Sequence, residues 1–200
     1  FSFPIKSFSR CLLRSRSVLA LICICLLAKS RAQNPSNSVM DFYKHYTTNE
    51  GLSSNTCLSL LEDSRGFVWI GTAEGLNRFD GHRFRKFFND PNSPNSICGN
   101  TVVCLDEDIH GRIWIGSYGS GVTVFDPLQE EYQQYRMEAP GLPLTRSNRV
   151  EEIVVLDDDR VFCSTEGGLF LKLQGDSVFK LVDGAFLGLQ EFDIKKTRIL

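Results

Sequence analysis

Paired carboxylates are the first candidates for chemistry in this chain. Glu62-Asp63 and Glu107-Asp108 stand 45 residues apart, and Asp157-Asp158-Asp159 follows later. Neighbouring carboxylates can divide general-acid and general-base work when their surroundings push their pKa values apart. One active site needs one such pair, whereas these recur at the same place in a repeat, as turn residues do. A turn and solvated-face role is therefore expected for all three, with a Ca²⁺ loop at Asp157–Asp159 as the minor alternative. His45, His82 and His110 have no ligand spacing, so no metal site is predicted. Trp69 and Trp114 could stack on sugars, but each lies inside an apolar run, which favours a core position. No nucleophile elbow, Ser/His/Asp order or phosphate loop stands out, so neither a catalytic residue nor a cofactor is expected.

The elements that hold these residues are set by an internal repeat. Asn55–Gly71 aligns without gaps on Asn100–Gly116, with nine of 17 positions identical. Asn55, Asp63, Gly66, Trp69 and Gly71 of the first copy thus correspond to Asn100, Asp108, Gly111, Trp114 and Gly116 of the second. Phe79-Asp80 matches Phe125-Asp126 one residue out of register. A weaker third copy runs from Ile153, with Phe162 in the Trp place and Ser164 in the Gly place.

Each copy divides into four short β runs. They are expected at 56–61, 67–71, 75–79 and 82–87, then at 101–106, 112–116, 121–125 and 131–136. Asp63 to Gly66 and Asp108 to Gly111 supply a local acceptor and a positive φ for the first turn. Ala73–Gly75 and Tyr118–Gly121 form the next, and Asp80-Gly81 signals the third. Phe67-Val68-Trp69-Ile70 is apolar without alternation, as in a strand covered on both faces. Gly71 and Gly116 then mark close approach of a neighbouring backbone.

A four-stranded unit of about 45 residues, covered by its neighbours, is a propeller blade. The expected fold is all-β: a propeller of four-stranded antiparallel blades, about three present and the ring incomplete. The boundaries read 48–90, 91–138 and 139–183 for the blades, with 184–200 starting a truncated fourth. Residues 33–47 form a linker and a closing outer strand, Phe42–Tyr46, awaiting a last blade.

Residues 1–32 carry six basic residues and no acid around an 11-residue apolar run, Val18–Ala28. That run is too short to span a bilayer, which takes about 20 residues. With Ser30-Arg31-Ala32 before Gln33 it reads as a secretory signal peptide cleaved between Ala32 and Gln33. Because the chain opens on Phe1 rather than Met, it is read as a fragment, a processed chain or a gene model with an odd start.

The whole chain carries 22 basic and 24 acidic residues; without the leader the net charge becomes −8. Such an acidic domain repels phosphate backbones, so no nucleic-acid partner is expected through this segment. Cys57, Cys98, Cys104 and Cys163 remain, read as small buried hydrophobes, with a Cys98–Cys104 bridge as the minor alternative.

The signature of Asn55–Thr72 and Asn100–Ser117, with the opening phrase Tyr46–Asn55, resembles the two-component regulator propeller repeat. The resemblance covers roughly residues 41–173. It implies the periplasmic sensor region of a hybrid two-component histidine kinase of the Bacteroidetes type, membrane-anchored and exported. It further implies an oligosaccharide ligand on the complete domain, with the remaining blades and downstream domains of the same chain as partners. A homodimer is left open. Two other classes are weighed. A glycoside hydrolase with the Asp-box turn S/T-x-D-x-G-x-x-W fits poorly, because Gly66 lies three residues after Asp63 and Leu61 takes the Ser/Thr place. A protein-binding scaffold lacks the Trp-Asp ending of its repeat.

Overall fold

The structure is a computed structural model that describes residues 44–182. The expected leader, with its Ala32–Gln33 cleavage, and the expected start of a fourth blade lie outside the described residues.

Among the described residues, short extended runs punctuated by turn residues give twelve strands. The first blade holds β1 (Cys57–Glu62), β2 (Val68–Thr72), β3 (Gly75–Phe79) and β4 (Phe84–Phe87). The second holds β5 (Val102–Glu107), β6 (Ile113–Ser117), β7 (Gly121–Asp126) and β8 (Glu131–Tyr135). A one-turn helix, α1 (Leu144–Ser147), leads into β9 (Val150–Val155), β10 (Val161–Thr165), β11 (Gly168–Lys172) and β12 (Lys180–Leu181). Each group of four is an antiparallel meander in chain order. β1 packs against β5 and β5 against β9, so the first strands form the inner line and the fourth strands the outer edge. These are propeller blades, and the strands of the first two begin and end within two residues of the expected runs.

Blade packing follows the period-two alternation of the strands. Between blades one and two, Trp69, Leu76 and Phe87 meet Val102, Ile113, Ile115 and Phe125. Between blades two and three, Trp114, Val122 and Tyr135 meet Val150, Val161, Cys163 and Phe179. At about 25 cal/mol per Å² of apolar area, these two seams are the main source of stability.

Two expectations change. β6 is buried along its whole length, but in β2 Val68 and Ile70 are only half-buried, because no neighbouring blade covers that face among the described residues. Phe42 falls outside the described residues, and Lys44–Tyr46 forms no strand. A strand needs a paired neighbour. Tyr46 instead sets its ring edge-on against Phe79 at 4.9 Å and Phe84 at 5.4 Å, on the outer part of blade one.

Candidate functional site: the indole–carboxylate turns

The recurring acids meet the recurring tryptophans. Asp63 Oδ1 accepts hydrogen bonds from the backbone N–H of Arg65 (3.0 Å) and Phe67 (2.9 Å), and Oδ2 accepts from Trp69 Nε1 at 2.8 Å. Asp108 repeats this with the N–H of His110 and Arg112, both at 3.0 Å, and with Trp114 Nε1 at 2.9 Å. Arg112 Nε adds a bond to Asp108 Oδ2 at 2.7 Å. One carboxylate thereby holds the turn closed with one oxygen and locks the indole of the following strand with the other. Gly66 (φ +82°) and Gly111 (φ +76°) complete the turn in a region open to glycine.

Both acids are buried, Asp63 at 4% and Asp108 at 6% exposure, so the solvated-face expectation is corrected for them. A carboxylate can be buried when charge-assisted bonds satisfy it. Burial is the largest influence on Asp63 and pushes its pKa up. The Trp69 indole, the two turn amides and the Arg65 guanidinium outweigh it and hold the carboxyl below its ordinary value. With their oxygens spent in this way, Asp63 and Asp108 are structural clamps. Trp69 (0% exposed) and Trp114 (3%) have no face free for a sugar.

The third copy has a different alignment of its acids from the expected one. Leu156 N–H bonds Arg160 C=O, just as Asp63 bonds Phe67 and Asp108 bonds Arg112. Leu156 therefore takes the Asp place, and Asp159, with φ +61°, takes the Gly place. Asp157 and Asp158 are exposed. Blade three has lost carboxylate and indole together, Leu156 for Asp and Phe162 for Trp, so neither partner is left unsatisfied.

Asn55 and Asn100 brace the chain entering each blade. Asn55 Oδ1 accepts from Thr48 N–H at 2.8 Å, and Asn100 Oδ1 from Asn89 N–H at 2.7 Å. Asn148 Oδ1 does the same for Met137 N–H at 2.8 Å. This third brace escaped the sequence reading, although extending the third copy five residues toward the N-terminus reaches it.

The glycines next to last in the second strands lie against the next blade. A Cβ on Gly71 would strike the Ser59 hydroxyl and come within 2.7 Å of Val102. On Gly116 it would strike the Cys104 sulfur and come within 2.7 Å of Val150. Cys57, Cys98, Cys104 and Cys163 are free thiols; Cys57 is exposed, Cys98 half-buried and the other two buried. Burial pushes the Cys104 thiol up to about 12, far from a reactive thiolate. His45, His82 and His110 are exposed and stand apart. Among the described residues no group of three His, Cys, Asp or Glu could hold a metal ion.

The family model of the two-component regulator propeller matches residues 51–74 and 96–119, each containing one Asp–Trp clamp. The fold is similar to the extracellular domain of a protein assigned to the hybrid two-component systems of B. thetaiotaomicron, with a TM-score of 0.63 and 24% identity. That likeness covers 74% of this chain and 21% of the other. A second extracellular domain from the same organism, assigned to a one-component system, has a TM-score of 0.55 and 19% identity, covering 69% and 18% of the two chains. In sequence, 85 residues are 36% identical to Histidine kinase P4 of Formosa agariphila, 42% of this chain and 6% of that protein. The chain thus spans only a small part of each relative. Within the first two blades, the stretches 51–74 and 96–119 are similar to the two-component regulator propeller repeat.

Proposed function

We propose that this chain is part of the exported sensor propeller of a hybrid two-component histidine kinase. In that reading the leader directs export and is cut between Ala32 and Gln33. The propeller stands on the periplasmic side of the inner membrane and answers an extracellular ligand, an oligosaccharide fragment. Signal transduction then passes to kinase and output domains elsewhere in the same polypeptide, and this segment itself turns nothing over.

The observation that carries the reading is the pair of regulator-propeller repeats at 51–74 and 96–119. The acidic balance after removal of the leader and the shared fold of the extracellular neighbours support it. The test is calorimetric titration of the complete protein against an oligosaccharide panel, with autophosphorylation measured in parallel. Binding of one glycan class with a change in autophosphorylation is expected. Glycoside turnover, or indifference to the whole panel, overturns the proposal. N-terminal sequencing of protein exported by a Gram-negative host tests the leader, and a new terminus at Gln33 is expected.

A further inference from the structure

The gapless alignment of the two close copies first breaks at the turn between their second and third strands. In blade one, Ala73 and Glu74 link Thr72 to its partner Gly75. In blade three, Glu166 and Gly167 link Thr165 to Gly168. Blade two uses three residues there, Tyr118, Gly119 and Ser120, between Ser117 and Gly121. The added residue accounts for the slip between Phe79-Asp80 and Phe125-Asp126. Tyr118 stands on this longer turn and is 51% exposed.

Single exposed apolar residues are ordinary on any surface. Tyr118 is set apart by what backs it. The Arg149 guanidinium lies over its ring, 4.6 Å from the centroid. Arg149 gives Nη1 to one oxygen of Glu166, and Arg146 Nε reaches the other at 3.3 Å. At the junction of blades one and two, the places of Tyr118 and Arg149 fall to Ala73 and Thr101. There Thr101 Oγ1 simply donates to the Ala73 carbonyl at 3.2 Å. The backbone under the ring is pinned on three sides. Tyr118 N–H donates to Thr101 C=O at 2.9 Å, Gly121 N–H to Asn148 C=O at 3.1 Å, and Glu166 N–H to Arg149 C=O at 3.2 Å. A β-bridge pairs Tyr118 with Arg149 across the seam. The ring is thus held in place before anything binds, which lowers the ordering cost of binding.

The arrangement selects a kind of ligand. Arg149 covers one face of the ring, and the exposure of Tyr118 leaves the opposite face and the phenol edge in solvent. A flat apolar face with a hydroxyl at its edge suits a partner that is apolar on one side and polar at its rim. Arg149 already occupies the ring as its cation, so a cationic ligand is disfavoured. Glu166 supplies the countercharge to the arginines, so no anion is called for. A pyranose ring meets these terms, with C–H groups on its face and hydroxyls around its edge.

We propose that Tyr118 is a stacking platform for one pyranose ring of a neutral oligosaccharide, with Arg149 and Glu166 as the residues that position it. The proposal rests on the glycan reading and names the side chain that touches the sugar.

The complete protein is titrated calorimetrically with cellohexaose, xylohexaose, mannohexaose and an oligogalacturonide of similar length. At least one neutral member should bind. Tyr118→Ala should weaken that binding about tenfold or more, the loss of one stacked ring. Tyr118→Phe keeps the ring and should stay within about threefold of the unaltered protein. Affinity should change by less than about twofold between about 50 and about 500 mM salt, because the ligand carries no charge. The ring is exposed, so Tyr118→Ala should barely move the melting temperature, and lost binding then reports lost contact. If no member binds the unaltered protein, the glycan reading falls and the platform with it. Undiminished binding by Tyr118→Ala, an equal loss in Tyr118→Phe, or binding of the oligogalacturonide alone overturns the platform and leaves the glycan reading standing.

Discussion

Asp63 and Trp69 are each other's condition for being buried. If Asp63 becomes Leu, the indole N–H and two turn amides lose their acceptor, at a cost of about 2–4 kcal/mol. If Trp69 changes to Phe in the same protein, one orphaned donor disappears, and the double variant should be less destabilised than the sum of the singles. Blade three already carries this exchange, as Leu156 and Phe162. Denaturant melts over the four-member cycle measure the coupling, and strict additivity would contradict the clamp. The same carboxylate sets a pH dependence. Its folded pKa lies below the unfolded value, so its stabilisation is complete above the ordinary aspartate range and fades as pH falls through the depressed folded value, below about 4. Acid titration of the melting temperature should show a decline there that Asp63→Asn largely removes.

At the scale of the strand, burial is decided by the neighbour. Gly71, next to last in β2, lies against Ser59 and Val102, and Gly116, next to last in β6, against Cys104 and Val150. Gly71→Ala and Gly116→Ala should each cost about 1–3 kcal/mol by overpacking the seam. Gly66 has nothing within 4 Å of a built Cβ, so Gly66→Ala should cost only the positive-φ strain, about 1 kcal/mol. Melting curves of the three variants check the order, and a Gly66 variant as damaged as the others would remove the seam argument. Ser164 holds the matching register in blade three, on the side where the described residues place no further blade.

Across the molecule, one face of blade one is left open by the described residues. Val68, Ile70 and Phe79 are half-buried and Cys57 is exposed, whereas their counterparts Ile113, Ile115, Phe125 and Val102 are sealed by the preceding blade. Leu58 (43% exposed) and Leu60 (71%) extend the apolar surface along the inner strand. Apolar patches of this kind drive association. Residues 33–200 expressed alone should therefore elute above monomer mass in size-exclusion chromatography, with higher-order species growing with concentration. A monodisperse monomer would show that the open face is tolerated.

What the sequence alone determined is whatever the repeat writes locally. The strand runs and the turn positions of Gly66 and Gly111 follow from residues within 20 positions of one another, and the correspondence of Asp63 and Trp69 with Asp108 and Trp114 follows from the 45-residue repeat. Propeller architecture was legible for the same reason, since a four-strand unit repeated in tandem has few ways to bury its faces. Tertiary structure decided what depends on the neighbouring blade. Burial of Asp63 and Asp108 comes from the indole beneath them, although composition suggested solvent. Leu156 already falls in the Asp place once Phe162 is set in the Trp place, six residues on, and the backbone pairing of the turn keeps that register. Lys172 reads as an ordinary strand-end lysine until strand pairing places it at the register of Phe125. A seam is made by residues of two blades, and only the packed pair shows which of them meet.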